Sequence, residues 1–208
     1  MKKLLALLFS LFFLSSPSVF ADDILELEIE GISIGDSLLD YMTEEEILNG
    51  IERSENSNYY HYLNEPYKYS EVYIFDNLQK YDALSFFIKN TPKNEYITSK
   101  KEKYTILSLR GSMPYIQDFK ACLKEKDEVS KEISIMFLNA DKREDRGVNK
   151  SDPSGKSIND GIWFNLDSGA LVGINCSNWD EDYRKKENIK EGLNIQIFSK
   201  EIVNWLRN

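Results

Sequence analysis

Gly35-Asp36-Ser37-Leu38 is the phrase in this chain that most resembles a nucleophile site. A serine hydroxyl attacks only when a base within hydrogen-bond reach takes its proton, and histidine is the usual base. The chain has one histidine, His61, near its middle. The same serine has a plainer use. Leu25, Leu27 and Ile29 alternate with Glu26, Glu28 and Glu30 in the period-2 pattern of a half-buried strand. The phase flips at Gly31, after which Ile32 and Ile34 are the apolar positions, and a glycine there admits the bulge that such a flip requires. Gly35 ends the strand, and Asp36 or Ser37 can cap a helix opened by Leu38, Leu39 and Tyr41. Ser37 therefore reads as a cap, worth about 1 kcal/mol over alanine, for which aspartate should substitute with little loss.

Other residues carry weaker chemistry. Gly155-Lys156-Ser157 looks like the tail of a phosphate-binding loop, but the first glycine of that loop would fall at Lys150 and no apolar strand precedes it. Asp141, Glu144, Asp145 and Asp152, and the run Asp180-Glu181-Asp182, offer oxygen ligands for calcium. None has the Asp-x-Asn/Asp-x-Asn/Asp-Gly spacing that turns such residues around one ion, so they read as solvated acidic loops. Tyr59, Tyr60, Tyr62, Tyr67, Tyr69 and Tyr73 crowd into fifteen residues beside His61. Rings with polar tips suit a binding surface for glycan, peptide or protein, and they equally suit the packing of an irregular segment over a sheet edge.

Gly35 to Leu38 resembles the opening block of the GDSL or SGNH hydrolases. That resemblance implies Ser37 as nucleophile, a histidine near the C-terminus three residues after an aspartate, a Gly-x-Asn-Asp oxyanion block and a parallel doubly wound sheet. Here the residue three before His61 is Asn58, and Ser157-Ile158-Asn159-Asp160 lacks the glycine, so the match ends with those four residues of 208. Ile29 to Ser37 is also similar to the start of a group of small bacterial proteins that carry signal peptides. The segments around Cys122 and Trp205-Leu206-Arg207 resemble that group's cysteine-bearing and closing helices. This second resemblance implies a compartment and no activity.

The first 21 residues read as a signal peptide: Lys2 and Lys3, an apolar run over 4–14, and Val19-Phe20-Ala21 before cleavage. At about eleven residues the apolar run is short for a membrane span. Cleavage leaves 187 of the 208 residues and moves the formal charge from -9 to -11 by removing two lysines. A chain so acidic is repelled by phosphate backbones, so nucleic acid is not an expected partner. The only cysteines are Cys122 and Cys176, an even number in an oxidising compartment, which reads as one disulfide. Cys176 closes the alternating row Ala170, Val172, Ile174, and Cys122 shares a helical stripe with Phe119, Val129, Ile133 and Phe137. A bridge between them would pin a helix to a sheet, closing about 54 residues for about 4 kcal/mol.

These residues need elements to position them. Thr43 to Glu46 is a capping box opening a short helix that fades at Asn49-Gly50. Strands are expected over 72–75 and 83–89, from Tyr96 onward, and over 104–110, a meander. Gly111 breaks the pattern, and Pro114 is expected in the first turn of a long helix over 115–137 that leaves Ile135 off its stripe. Between 139 and 160 lies a long polar loop. A hairpin over 162–176, a strand over 193–198 and a short helix capped by Ser199 complete the chain.

The expected fold is α+β: an antiparallel sheet of meanders and hairpins, with a long helix on one face and a short C-terminal helix, in one domain over 22–208. The expected function is an exported, periplasmic or secreted, non-catalytic domain binding a protein, peptide or envelope component. Tyr59, Tyr60, His61, Tyr62, Tyr67 and Tyr69, or the polar loop, would form the surface, with no cofactor and no membrane span in the mature chain. A GDSL-like serine hydrolase using Ser37 and a structural calcium-binding module are the alternatives.

Overall fold

The structure, a computed structural model, describes residues 24–56, 68–90 and 102–208. The expected signal peptide over 1–21 lies outside these residues, as do Tyr59, Tyr60, His61, Tyr62, Tyr67 and the strand expected from Tyr96.

The phase flip at Gly31 is a chain reversal, not a bulge. Glu30 and Gly31 have φ values of 55° and 75°, the left-handed pair that a two-residue turn requires between β1 (Glu28–Ile29) and β2 (Ile32–Ser33). Both phases are then buried, Ile29 opposite Ile32. The Glu30 carboxylate accepts from the backbone amides of Gln79, Lys80 and Tyr81 and fastens this hairpin to the large sheet.

That sheet has seven strands: β3 (Tyr69–Ile74), β4 (Ala83–Lys89), β5 (Ile106–Pro114), β6 (Asp141–Val148), β7 (Ile158–Asn165), β8 (Leu171–Asn178) and β9 (Gly192–Phe198). Their spatial order is β3-β4-β5-β9-β8-β7-β6, and every pairing is antiparallel. Among the described residues four α-helices accompany it: α1 (Glu44–Asn56), α2 (Phe119–Met136), α3 (Glu181–Glu187) and α4 (Lys200–Arg207). This is the expected α+β architecture. Among the described residues no helix is long and apolar enough to cross a membrane.

Strand alternation divides the apolar residues between two faces. Val72, Phe86, Leu109, Phe164, Ile174, Leu193 and Ile197 point to one face and join the main core with Ile29, Ile32, Cys122 and Ile133, beneath the hairpin, α1 and α2. On the other face Tyr69 and Phe198 meet Ile202, Val203 and Trp205 of α4. The bridge Cys122–Cys176 joins α2 to β8 with Cα atoms 5.9 Å apart. One helical turn beyond Cys122, Lys126 pairs with Asp160, which lies opposite Cys176 in register; both side chains are nearly buried.

Five elements differ from the sequence reading. Strand β5 continues through Gly111 to Pro114, and α2 starts at Phe119 with Asp118 as its N-cap, accepting from Ala121 N at 3.0 Å. Gly111 is glycine because the Tyr81 ring lies on it, where a Cβ would overlap the ring carbons. The expected polar loop over 139–160 is strand β6 followed by a turn into β7. All eight β6 residues are exposed, so neither face imposes an apolar period for the eye to find. The acidic and basic run after Trp179 forms α3, whose first turn Asp180 caps through Tyr183 N at 3.2 Å. Helix α1 also outlasts Gly50, which fits closely against Val72.

Candidate binding face

Ser37 is 2 % exposed and caps the short 3-10 helix Leu38–Asp40. Its hydroxyl donates to the Lys103 carbonyl at 2.7 Å and accepts from Leu39 N at 3.3 Å. The proton that a nucleophile would pass to a base is directed at a peptide carbonyl. An open depression beside it is lined by residues from Leu39 to Glu46 and does not include Ser37. Its carboxylates are occupied: Glu46 closes the capping box with Thr43. Hydrogen bonds from Lys103, then Tyr104, hold the Glu44 carboxyl below the usual carboxylate range.

The calcium candidates do not converge. Asp141 and Asp145 point to one face of β6 and Glu144 to the other. Burial works against the Asp152 carboxylate, but hydroxyl and amide donors from Ser157 and Ser154 outweigh it and hold its pKa down to about 2. Asp180 caps α3 and faces Lys156, and Glu181 pairs with Lys185. Among the described residues no group of three or more His, Cys, Asp or Glu side chains is placed to hold a metal ion.

Of the expected tyrosine surface, Tyr69 is a correction. It is 1 % exposed, with its ring edge-on to Trp205 at 4.9 Å and its hydroxyl donating to Glu201 at 2.7 Å. It points to the face that α4 covers, so it serves packing. Tyr73, two residues on, passes beyond α4 and is exposed. Its ring lies parallel to that of Phe75, with centroids 5.8 Å apart and 1° between planes, and Phe75 is 56 % exposed.

From this aromatic pair two rows of side chains cross the part of that face that no described helix covers. The first runs Tyr73, Ser85, Arg110, Gln196, Gly173, Trp163. The second runs Ala83, Ser112, Asn194, Asn175, Gly161. At about 4.8 Å per strand, Tyr73 and Trp163 stand about 24 Å apart. Trp163 lies flat because Gly173 and Gly161 leave it room: a Cβ on Gly173 would overlap the indole, and one on Gly161 would come within 3.3 Å of Nε1.

The amides between the rings are half-buried; Asn175 uses both its oxygen and its nitrogen, whereas Asn194 and Gln196 are half-used. Ser112 Oγ donates to Asn194 Oδ1 at 2.7 Å, and Gln196 Nε2 donates to Asn175 Oδ1 at 2.9 Å. The Asn194 amide nitrogen and the Gln196 carbonyl oxygen have no protein partner among the described residues. Arg110 is the one charged member of the two rows between β3 and β7, and it is neutralised by Glu71 at 3.2 Å while donating to Ser85 at 3.1 Å. On the next row, Asn159 Oδ1 is buried and has no hydrogen-bond partner among the described residues. Beside the aromatic pair a cleft of about 170 Å³ is lined by Tyr73, Phe75, Ser112, Pro114, Glu191 and Asn194. Lys190 stands over the Phe75 ring, 5.8 Å from its centroid.

No family model, no curated protein and no solved structure matches this chain. The surface expected from the sequence, Tyr59 to Tyr69, did not include Tyr73, which entered only as a member of the tyrosine cluster, nor Phe75, Trp163, Asn175, Asn194 and Gln196. The signal for Asn175, Asn194 and Gln196 was the off-phase residues 173, 175 and 177 and 192, 194 and 196, which are Gly, Asn, Ser and Gly, Asn, Gln where a solvent-facing strand usually carries Lys, Glu or Thr.

Proposed function

We propose that this chain is an exported, non-catalytic domain that binds a protein, peptide or envelope component on the uncovered face of its sheet. The observation that carries the reading is the polar row beside the exposed Tyr73–Phe75 pair: half-buried, and containing groups with hydrogen-bonding capacity to spare. Convergent polar groups beside apolar plates are how a binding surface combines orientation with contact area. A periplasmic or secreted location is the matching compartment, supported by the signal-like residues over 1–21, the disulfide, and the resemblance of Ile29 to Ser37 to small signal-bearing bacterial proteins. Ser37 acts as a cap in this reading and performs no chemistry.

The test is co-sedimentation of the mature protein with an envelope fraction, comparing wild type with Tyr73→Ala/Phe75→Ala. Both rings are exposed, so the variant should melt like wild type and lose retention at least tenfold. Equal retention of the two proteins would overturn the reading. A fluorophosphonate probe run in parallel should leave Ser37 unlabelled; labelling that disappears in Ser37→Ala would establish a hydrolase instead.

A further inference from the structure

We propose that the ligand of this face is a neutral glycan chain. This inference rests on the binding role proposed above and names the chemistry that the face would recognise.

Four observations point to it. The first is charge. Between Tyr73 and Trp163 the side chains are hydroxyls, carboxamides and glycines, and the single guanidinium is matched by Glu71. An anionic polymer would find no unpaired cation there and would meet an acidic chain of formal charge -9. Apart from the Arg110–Glu71 pair, the charges lie at the margins, with Asp82, Lys190 and Glu191 lining the cleft and Arg143 and Asp145 on β6.

The second is hydrogen-bonding type. The rows leave both a donor, the Asn194 amide nitrogen, and an acceptor, the Gln196 carbonyl oxygen, for a ligand. A sugar hydroxyl both donates and accepts, so one ligand group can serve either partner. An extended peptide carries most of its hydrogen-bonding groups on its backbone and satisfies them best at a strand edge, whereas these groups lie on the face.

The third is the pair of aromatic platforms. A pyranose ring has a face of C–H bonds that packs flat on an aromatic ring, and its equatorial hydroxyls then point sideways. Tyr73 and Phe75 present parallel, exposed rings. Trp163, over Gly161 and Gly173, is half-buried against the α4 cluster and offers only its remaining surface at the far end of the row. The fourth is length. About 24 Å between the aromatic pair and the indole, with one small cleft of about 170 Å³ at one end, suits a chain of sugars that continues beyond its contacts rather than an enclosed monosaccharide.

The experiment is calorimetric titration of the mature protein with four probes: an N-acetylglucosamine hexasaccharide, a glucose hexasaccharide, an N-acetylglucosamine disaccharide and a heparin hexasaccharide. At least one neutral hexasaccharide should bind saturably, more tightly than the disaccharide, while the heparin fragment should not bind. Tyr73→Ala/Phe75→Ala and Asn194→Ala/Gln196→Ala should each weaken binding tenfold or more at unchanged melting temperature. If neither neutral hexasaccharide binds, or if the variants bind as well as wild type, the glycan inference falls. The envelope co-sedimentation then separates the two readings. Ring-dependent retention that survives protease digestion of the envelope but not glycan digestion supports the glycan. Ring-dependent retention abolished by protease leaves the binding role standing and removes the glycan. Retention that ignores the rings removes both.

Discussion

At Ser37 one hydroxyl serves two backbone groups, and this decides what can replace it. Its oxygen accepts from Leu39 N, which aspartate could also do, but its proton goes to the Lys103 carbonyl, which aspartate cannot match. At 2 % exposure an ionised carboxylate would also sit unpaired against that carbonyl oxygen. Ser37→Ala should therefore lose about 1 to 2 kcal/mol, and Ser37→Asp should lose more, the reverse of the ranking that a simple cap gives. Urea melts of both variants measure this, and an aspartate variant as stable as alanine would refute the double role. Asp152 is organised by the opposite arrangement, one carboxylate gathering hydroxyl and amide donors from Ser154 and Ser157. Its folded pKa is depressed to about 2, below the unfolded value of about 3.9. The sign follows from linkage: the stabilisation is complete above the unfolded pKa and disappears as pH falls through the folded one. The stability difference between wild type and Asp152→Asn should be constant above about pH 5 and shrink between about pH 4 and pH 2. A difference flat across that window would mean that the carboxylate charge is not what holds the turn.

Helix α2 is held to the sheet by two adjacent devices. Cys122 and Lys126 are one turn apart, and their partners Cys176 and Asp160 are opposite each other in register, so the covalent and the ionic pin act on the same patch. Removing the disulfide with Cys122→Ala/Cys176→Ala should cost about 4 kcal/mol by the loop-entropy estimate. Lys126→Met should cost about 3 kcal/mol, at the low end for a broken buried pair because Arg146 stands 3.4 Å from the Asp160 carboxylate. The combined variant should lose less than the sum, since an α2 already loosened lets Asp160 reach water. Additivity within about 0.5 kcal/mol in urea unfolding would show the pins to be independent. Strand β6 solves a different problem. It ends the sheet with eight exposed residues, six of them charged in the order Asp, Lys, Arg, Glu, Asp, Arg. Charge along an edge keeps it from recruiting another strand. Arg143→Val/Asp145→Val should keep the melting temperature and make the protein self-associate with concentration in sedimentation velocity; a variant that stays monomeric would show that the charges do not guard the edge. The same strand marks where sequence reading runs out. Strand β4 and the helix after Ser199 were legible because one buried side prints a period on the sequence, whereas β6 is wet on both sides and prints none. Pro114 misled for a related reason, since its terminal position in β5 leaves the ladder intact and the sequence shows only a helix-starting residue.

Across the whole molecule the two faces of the sheet are treated unequally. One carries the β1–β2 hairpin, α1 and α2 over a continuous apolar core, and the other carries α4 at one end and amides elsewhere. The candidate binding face could not be read before folding because Ser112, Asn175 and Asn194 come from three strands that become neighbours only through the order β5-β9-β8. Along each strand separately they are unremarkable polar residues in the solvent phase. Once side by side, they are a poor choice for stability. Asparagine is depleted in strands, where threonine fills the pleated surface better, a difference that spans up to about 1 kcal/mol per site. Sites that break a local preference without a visible structural gain are where function is expected. The hydrogen bonds to Asn194 and Asn175 are a small gain, because Ser112 and Gln196 are half-exposed and can turn to water. Asn175→Thr/Asn194→Thr should therefore raise the melting temperature by a few degrees while weakening retention on the envelope fraction. The two readouts must move in opposite directions. A double variant that melts several degrees lower would make the amide row a structural network and would remove the argument that this face is kept for a ligand.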